Sequence, residues 1–152
     1  MDIPLVLVKA TSLSSDQIKS VLKNPATSRP ISVGETLSKK DYATAEELVA
    51  DLCRELGLDF IRDIPVNEIS ADLIRDLPIN YAKNQGVLPY REESDTIVVL
   101  TSNPLNTKAM DDIRVIFGKR VRMLVTTTQK LQDTINRVYE KSTANLNGMD
   151  EI

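Results

Sequence analysis

Apolar residues recur at helical spacing through the first part of the chain, and a cap residue precedes each recurrence. Ser14 and Gln17 form a capping box, with Leu13 and Ile18 around it as a hydrophobic staple. Ile18, Val21 and Leu22 then make one apolar stripe, and Asn24-Pro25 stops the helix. Residues 25–30 (PATSRP) read as a loop. Ser32 and Glu35 form a second box before a short helix through Leu37. Thr44 and Glu47 form a third, and the helix that follows is the clearest of the chain. Its apolar face carries Ala45, Leu48, Val49, Leu52, Cys53 and Leu56. Gly57 supplies a left-handed terminator and Leu58 the apolar residue after it.

Two of these segments resemble each other. Residues 13–22 align with residues 43–52, so that cap, capping partner and the two main core positions correspond. A small domain of two related helical units is expected. The apolar run at residues 3–8 leaves three readings open: a short strand, a first helix, or part of a docking surface.

From Asp59 the pattern changes. Asp59-Phe60-Ile61 predicts a short strand, ended by Ile64-Pro65. Ser70 caps a helix through Leu73, Ile74 and Leu77. Pro78 interrupts it, Tyr81 and Ala82 continue its face, and Gly86 closes it. Residues 87–91 and 96–101 read as a hairpin about the polar turn Glu92-Glu93-Ser94-Asp95. Ser102-Asn103-Pro104 turns the chain into a helix bearing Ala109, Met110, Ile113, Ile116 and Phe117, ended by Gly118. Residues 121–125 predict another strand. Thr127 or Thr128 caps a last helix with Leu131, Ile135, Val138 and Tyr139.

The fold class is therefore α+β. A helical subdomain over residues 1–57 precedes a compact β-α-β-β-α-β-α subdomain over residues 58–141, with a small sheet packed on helices. Residues 142–152 are polar without a core pattern and read as a linker or trailing end.

Composition then removes whole classes of chemistry. The 152 residues contain no histidine, which excludes Ser-His-Asp and Cys-His catalysis and His-ligated zinc. The single cysteine, Cys53, cannot form an internal disulfide, and its place on the apolar stripe marks it as a core residue. Basic and acidic residues number 19 and 22 and are interspersed, so the footprint of a nucleic-acid binder is missing. No apolar run approaches the roughly 18–20 residues that span a membrane, and direct membrane insertion is not expected. The glycines are scattered, so neither a Walker A loop nor a Rossmann fingerprint is present. Asp111-Asp112 lacks partners at ligand spacing and reads as a polar helix face. No catalytic residue, no metal site and no cofactor is assigned.

In this order and spacing, several short pieces point to one family. They are Leu56-Gly57-Leu58-Asp59-Phe60-Ile61, Leu77-Pro78 with Tyr81-Ala82, Val87-Leu88-Pro89, and Ile97-Val98-Val99-Leu100-Thr101-Ser102-Asn103-Pro104. Ile113 to Gly118 and Ile135 to Tyr139 follow. The stretch resembles the N-terminal domain of the type II secretion and type IV pilus assembly ATPases (the general secretory pathway protein E family). The resemblance implies a docking role, in which the domain binds the cytoplasmic domain of an inner-membrane platform protein. It also implies a C-terminal motor with Walker motifs, assembled as a hexamer in a longer parent. The setting implied is cytoplasmic, peripheral at the inner membrane through that partner.

Some relatives in this family bind cyclic di-GMP through a repeated motif that opens with Arg-Leu-Gly and closes with Gln. Here the second unit opens with Ser32-Val33-Gly34 and closes near Arg54, so only the glycine matches. The first unit would open near Asp2-Ile3-Pro4, placing a carboxylate where a guanine-stacking cation is wanted. Ser32, Val33, Gly34 and Arg54 are the residues of this alternative site.

Overall fold

The computed structural model describes residues 2–26 and 30–150, with side chains through Lys141. Residues 27–29 of the expected loop lie outside the described residues. The run at residues 3–8 is helical. Asp2 caps α1 (Ile3–Ala10) by accepting from the Leu5 N–H, and Pro4 sits in the first turn, where its missing N–H costs nothing. α2 (Ser15–Lys23), α3 (Val33–Ser38) and α4 (Ala45–Leu56) follow. The starts of α1 and α3, and those of α2 and α4, share one offset of about thirty residues, so the repeat is two helix pairs rather than two single helices.

The three expected boxes close differently. Ser14 and Gln17 bond reciprocally. Ser32 Oγ accepts from the Glu35 N–H, which is one half of a box. Thr44 Oγ1 accepts from the Glu47 N–H, but the Glu47 carboxylate reaches one residue further back, to the Ala43 N–H. Gly57 stands at φ 72°, with its N–H and that of Leu58 turned onto the last carbonyls of α4. The ends of the residue 25–30 loop are tied together by a bridge between Pro25 and Ser32.

β1 (Asp59–Phe60), a 3-10 turn at Val66–Glu68, α5 (Ala71–Ile74) and α6 (Ile79–Gln85) lead into the sheet. β2 (Val87–Glu93) and β3 (Thr96–Thr101) form the hairpin. It is longer than the sequence reading, because Glu92 and Glu93 pair with Ile97 and Thr96 and leave only Ser94-Asp95 as the turn. α7 (Thr107–Phe117), β4 (Arg120–Val125) and α8 (Thr128–Asp150) complete the chain. The backbone of residues 142–150 continues α8. The strand order is β1-β4-β3-β2, with β4 parallel to both of its neighbours and β2 antiparallel to β3. The architecture is α+β, as the sequence implied.

Side chains alternate across β3. Val98 and Leu100 face α8 through Leu131 and Ile135, whereas Ile97 and Val99 face α7 through Ala109 and Ile113. The four N-terminal helices bury a separate cluster around Leu7, Ile18, Val33, Leu48, Val49 and Leu52, and Val125 of β4 joins it. Cys53 is in this cluster, and burial pushes its thiol up to about 12. One residue departs from the helical face expected of it: Ile116 is 42% exposed, beside Val115 at 80% on the solvent side of α7.

Candidate functional site

Ser32, Val33 and Gly34 open α3. Ser32 is spent as its cap, and Val33 is fully buried in the helical core. Gly34 meets α2 so closely that a Cβ there would lie 3.2 Å from the Leu22 carbonyl oxygen and 3.3 Å from the Leu22 Cβ. Its glycine therefore has a packing reason of its own. Arg54 stands on the last turn of α4 and binds Asp51 at 2.6 Å. Asp51 also accepts from Tyr42 Oη at 2.9 Å and Lys40 Nζ at 3.2 Å. Burial favours the neutral acid at Asp51, but the bonds from Tyr42 and Lys40 and the charge of Arg54 outweigh it and lower its pKa. Burial, with the bond to Asp51, raises the Tyr42 hydroxyl well above its ordinary value. Arg54 is thus part of a network that ties the loop before α4 to the helix.

Asp2, which occupies the opening of the first unit, is the cap of α1. Asp111 and Asp112 are likewise engaged, with Arg114 at 2.9 Å and with the Tyr81 hydroxyl at 2.7 Å. Among the described residues no group of three His, Cys, Asp or Glu is placed to hold a metal ion.

A concavity lies elsewhere. A cleft of about 690 Å³ opens between α1 (Val6, Lys9, Ala10), the start of α4 (Thr44, Ala45, Glu46) and the start of α8 (Thr127, Gln129, Lys130, Asp133). Lys130 Nζ, in its lining, donates to Glu46 at 3.0 Å and to the Arg62 carbonyl oxygen at 2.5 Å. Beside it, Leu5 and Val8 of α1 are 51% and 41% exposed. No local motif announces this cleft, because its three walls come from three widely separated stretches of the chain. The cap residues Thr44 and Thr127 were the only signal, since they place two helix starts.

A second junction surrounds Gly86, at φ 65°, where a Cβ would stand 2.6 Å from Ser102 Oγ. Only glycine fits there on both counts. Ser102 continues to Ser12 Oγ at 2.6 Å, and the Asn103 amide donates to the Ser12 carbonyl oxygen. Asn103 makes the turn expected at this corner, its Oδ1 accepting from the Leu105 N–H, and Asn106 then caps α7 through the Ala109 N–H.

A family model for the MshEN domain matches residues 47–145, from α4 into α8. The chain belongs to the MshEN domain family. The resemblance drawn from residues 56–139 to N-terminal domains of secretion and pilus ATPases falls inside that match and is borne out. The first helical pair, α1 and α2, lies before the matched residues. Two solved structures are similar in fold. The structure of MshE with cdg has 20% sequence identity and a TM-score of 0.55, over 91% of this chain and 99% of that one. The N-terminal domain of XpsE has 18% identity and a TM-score of 0.47, over 60% of this chain and 62% of that one, so the shared part is less than two thirds of its length. No curated protein matches this chain.

Proposed function

We propose that this MshEN domain is a docking and regulatory module without catalysis of its own. It binds the cytoplasmic domain of an inner-membrane platform protein and so couples the motor of a longer parent ATPase to a type II secretion system. The observation that carries this reading is α1. Ile3, Leu5, Val6, Leu7 and Val8 put apolar groups around much of the helix, yet only Leu7 is fully buried. A helix with apolar groups all round ordinarily sits inside a protein. Leu5 and Val8 therefore supply surface suited to a protein partner. Among the described residues no helix is long and apolar enough to cross a membrane, which fits peripheral attachment through that partner on the cytoplasmic side.

Titration against the platform protein's cytoplasmic domain tests the reading. Micromolar binding is expected, weakened about tenfold or more (about 1.4 kcal/mol) by Leu5→Asp with Val8→Asp, at an unchanged melting temperature. Absence of binding at high micromolar concentration would sink it.

The likeness to the structure of MshE with cdg supports a second reading, a cyclic di-GMP sensor using Ser32, Val33, Gly34 and Arg54. Two features weigh against it: the Asp2 carboxylate at the opening of the first unit, and the engagement of Arg54 by Asp51. A flat calorimetric titration with cyclic di-GMP would remove it.

A further inference from the structure

The helical part and the sheet part meet along a seam fastened mainly by polar groups. Ser12, between α1 and α2, commits every polar atom across it. Its N–H donates to the Ser102 carbonyl oxygen at 2.9 Å, and its carbonyl oxygen accepts from Asn103 Nδ2 at 3.3 Å. Its Oγ meets Ser102 Oγ at 2.6 Å and Thr128 Oγ1 at 3.3 Å. The second fastening is Lys130, bound to Glu46 and to the Arg62 carbonyl oxygen. Both fastenings involve the first turn of α8, while Leu131, Ile135 and Val138 hold the body of that helix in the sheet core. The cleft opens at the Lys130 fastening, and apolar contact crosses the seam at Val125, Leu58 and Phe60, close to the chain connection.

The two fastenings differ in kind. Ser12 is held by neutral bonds, two of them to its main chain, over a floor that Gly86 leaves open for Ser102. Lys130 and Glu46 form an ion pair with side chains 35% and 26% exposed, and the Arg62 guanidinium waits 3.9 Å from the same carboxylate. Salt screens such a pair and leaves neutral bonds in place.

We propose that the first turn of α8 is a two-point clasp. Ser12 is the pivot and the Lys130–Glu46 pair is the releasable point, so that the helical part opens and closes the cleft against the sheet part. Because α8 runs on as helix to Asp150, the clasp sets the direction of that rod relative to α1–α4. A polar, partly open seam is the kind across which parts of one chain move.

Spin labels at Lys19→Cys on α2 and Lys108→Cys on α7, both exposed in the full chain, read the motion by pulsed electron resonance. Cys53 is buried and does not compete for the label. At low salt one narrow distance is expected. Lys130→Met, or roughly 1 M salt, should widen the distribution about two-fold or add a second distance. Ser12→Ala loses only the Oγ bonds and keeps both main-chain bonds, so any widening it causes should not depend on salt. Hydrogen exchange of the β3 amides checks that each variant is folded, and Glu46→Gln replaces Lys130→Met if that variant is not. A distribution equally narrow in the wild type and the Lys130 or Glu46 variant at all salts would show one rigid body and overturn the proposal. A wild-type distribution already as broad as that of the variant would overturn it too.

Discussion

The helical part and the sheet part take their structure from different ranges of sequence. In α2–α4 each start is fixed by a hydroxyl and an N–H three residues on, at Ser14, Ser32 and Thr44. The repeat then packs one pair of helices on the other, with α1 against α4. In the sheet part Asp59 must find Leu124, and Thr96 must find Arg120. Nothing near Asp59 in the chain names its partner. Local rules therefore suffice for the helices of the first part, whereas the second depends on closing long loops before its contacts form. Where the parts join, the bonds are again long-range, from Ser12 to Ser102 and from Glu46 to Lys130.

The strongest way to break that comparison is to unfold one part alone. Leu52 is 2% exposed in the helical cluster, and Leu52→Asp places an uncompensated charge there, at a cost of several kcal/mol. Hydrogen exchange should show α1–α4 amides losing protection while β3 amides keep theirs. Loss of protection in both parts at once would make them one cooperative unit, with Val125 the apolar bridge.

Two glycines sharpen it next. Gly57 and Gly86 both end helices at positive φ, 72° and 65°. Nothing lies within 4 Å of a Cβ at Gly57, so Gly57→Ala costs only the conformation, about 1 kcal/mol. At Gly86 the Cβ would also collide with Ser102 Oγ, and Gly86→Ala should cost about 1–3 kcal/mol and disturb the Ser12 junction. Urea melts of the two variants decide the order. Equal losses would show that Ser102 can move aside freely.

These two glycines also mark how far the sequence could be read. Their role as helix ends was plain, because glycine after an apolar helical stripe has a mechanism. The collision at Gly86 was not, since Ser102 reaches it through the fold. The same limit separates the elements from the site. Helix faces and the alternation along β3 were legible, as were the hairpin and the strand-helix order. The length of the hairpin was misread, because Glu92 and Glu93 look like turn residues although they pair with Ile97 and Thr96. The run at residues 3–8 stayed open because its six residues carry no polar side chain, which leaves no polar face to set a helical period. Only the offset between Asp2 and Ser32 as caps shows it to be the partner of α3. The cleft was invisible for a simpler reason: Val6, Glu46 and Lys130 carry no mutual spacing.

A smaller effect comes from the caps. Ser14→Ala removes both the acceptor for the Gln17 N–H and the reciprocal geometry of the box, and should cost about 1 kcal/mol. Thr44→Ala should cost less than Ser14→Ala, because Glu47 holds the Ala43 N–H independently of the Thr44 hydroxyl. Thermal melts of the pair test this. A larger loss at Thr44 would show that the displaced box depends on its threonine.

The smallest expected effect sets one carboxylate of each part against the other. Asp51 in the helical part and Glu93 in the sheet part both have lowered pKa values. At Asp51 burial opposes the shift, and Tyr42, Lys40 and Arg54 overcome it. At Glu93 the bond from Arg91 leads, with Arg122 adding charge. A carboxylate whose folded pKa is depressed stabilises the fold fully above its unfolded value of about 4, and that stability is lost as the pH falls through the folded value. Stability measured from about pH 5 downward should therefore fall less steeply in Asp51→Asn than in the wild type. Glu93→Gln should do the same only at low salt, because its side chain is 41% exposed against 18% for Asp51, and screening removes pairs that face water. An acid limb that Asp51→Asn leaves unchanged would mean that the Tyr42–Asp51–Lys40 bonds are replaced by equivalent ones in the unfolded chain. The network around Arg54 would then be ornament rather than support, and Arg54 would be free to meet a ligand after all.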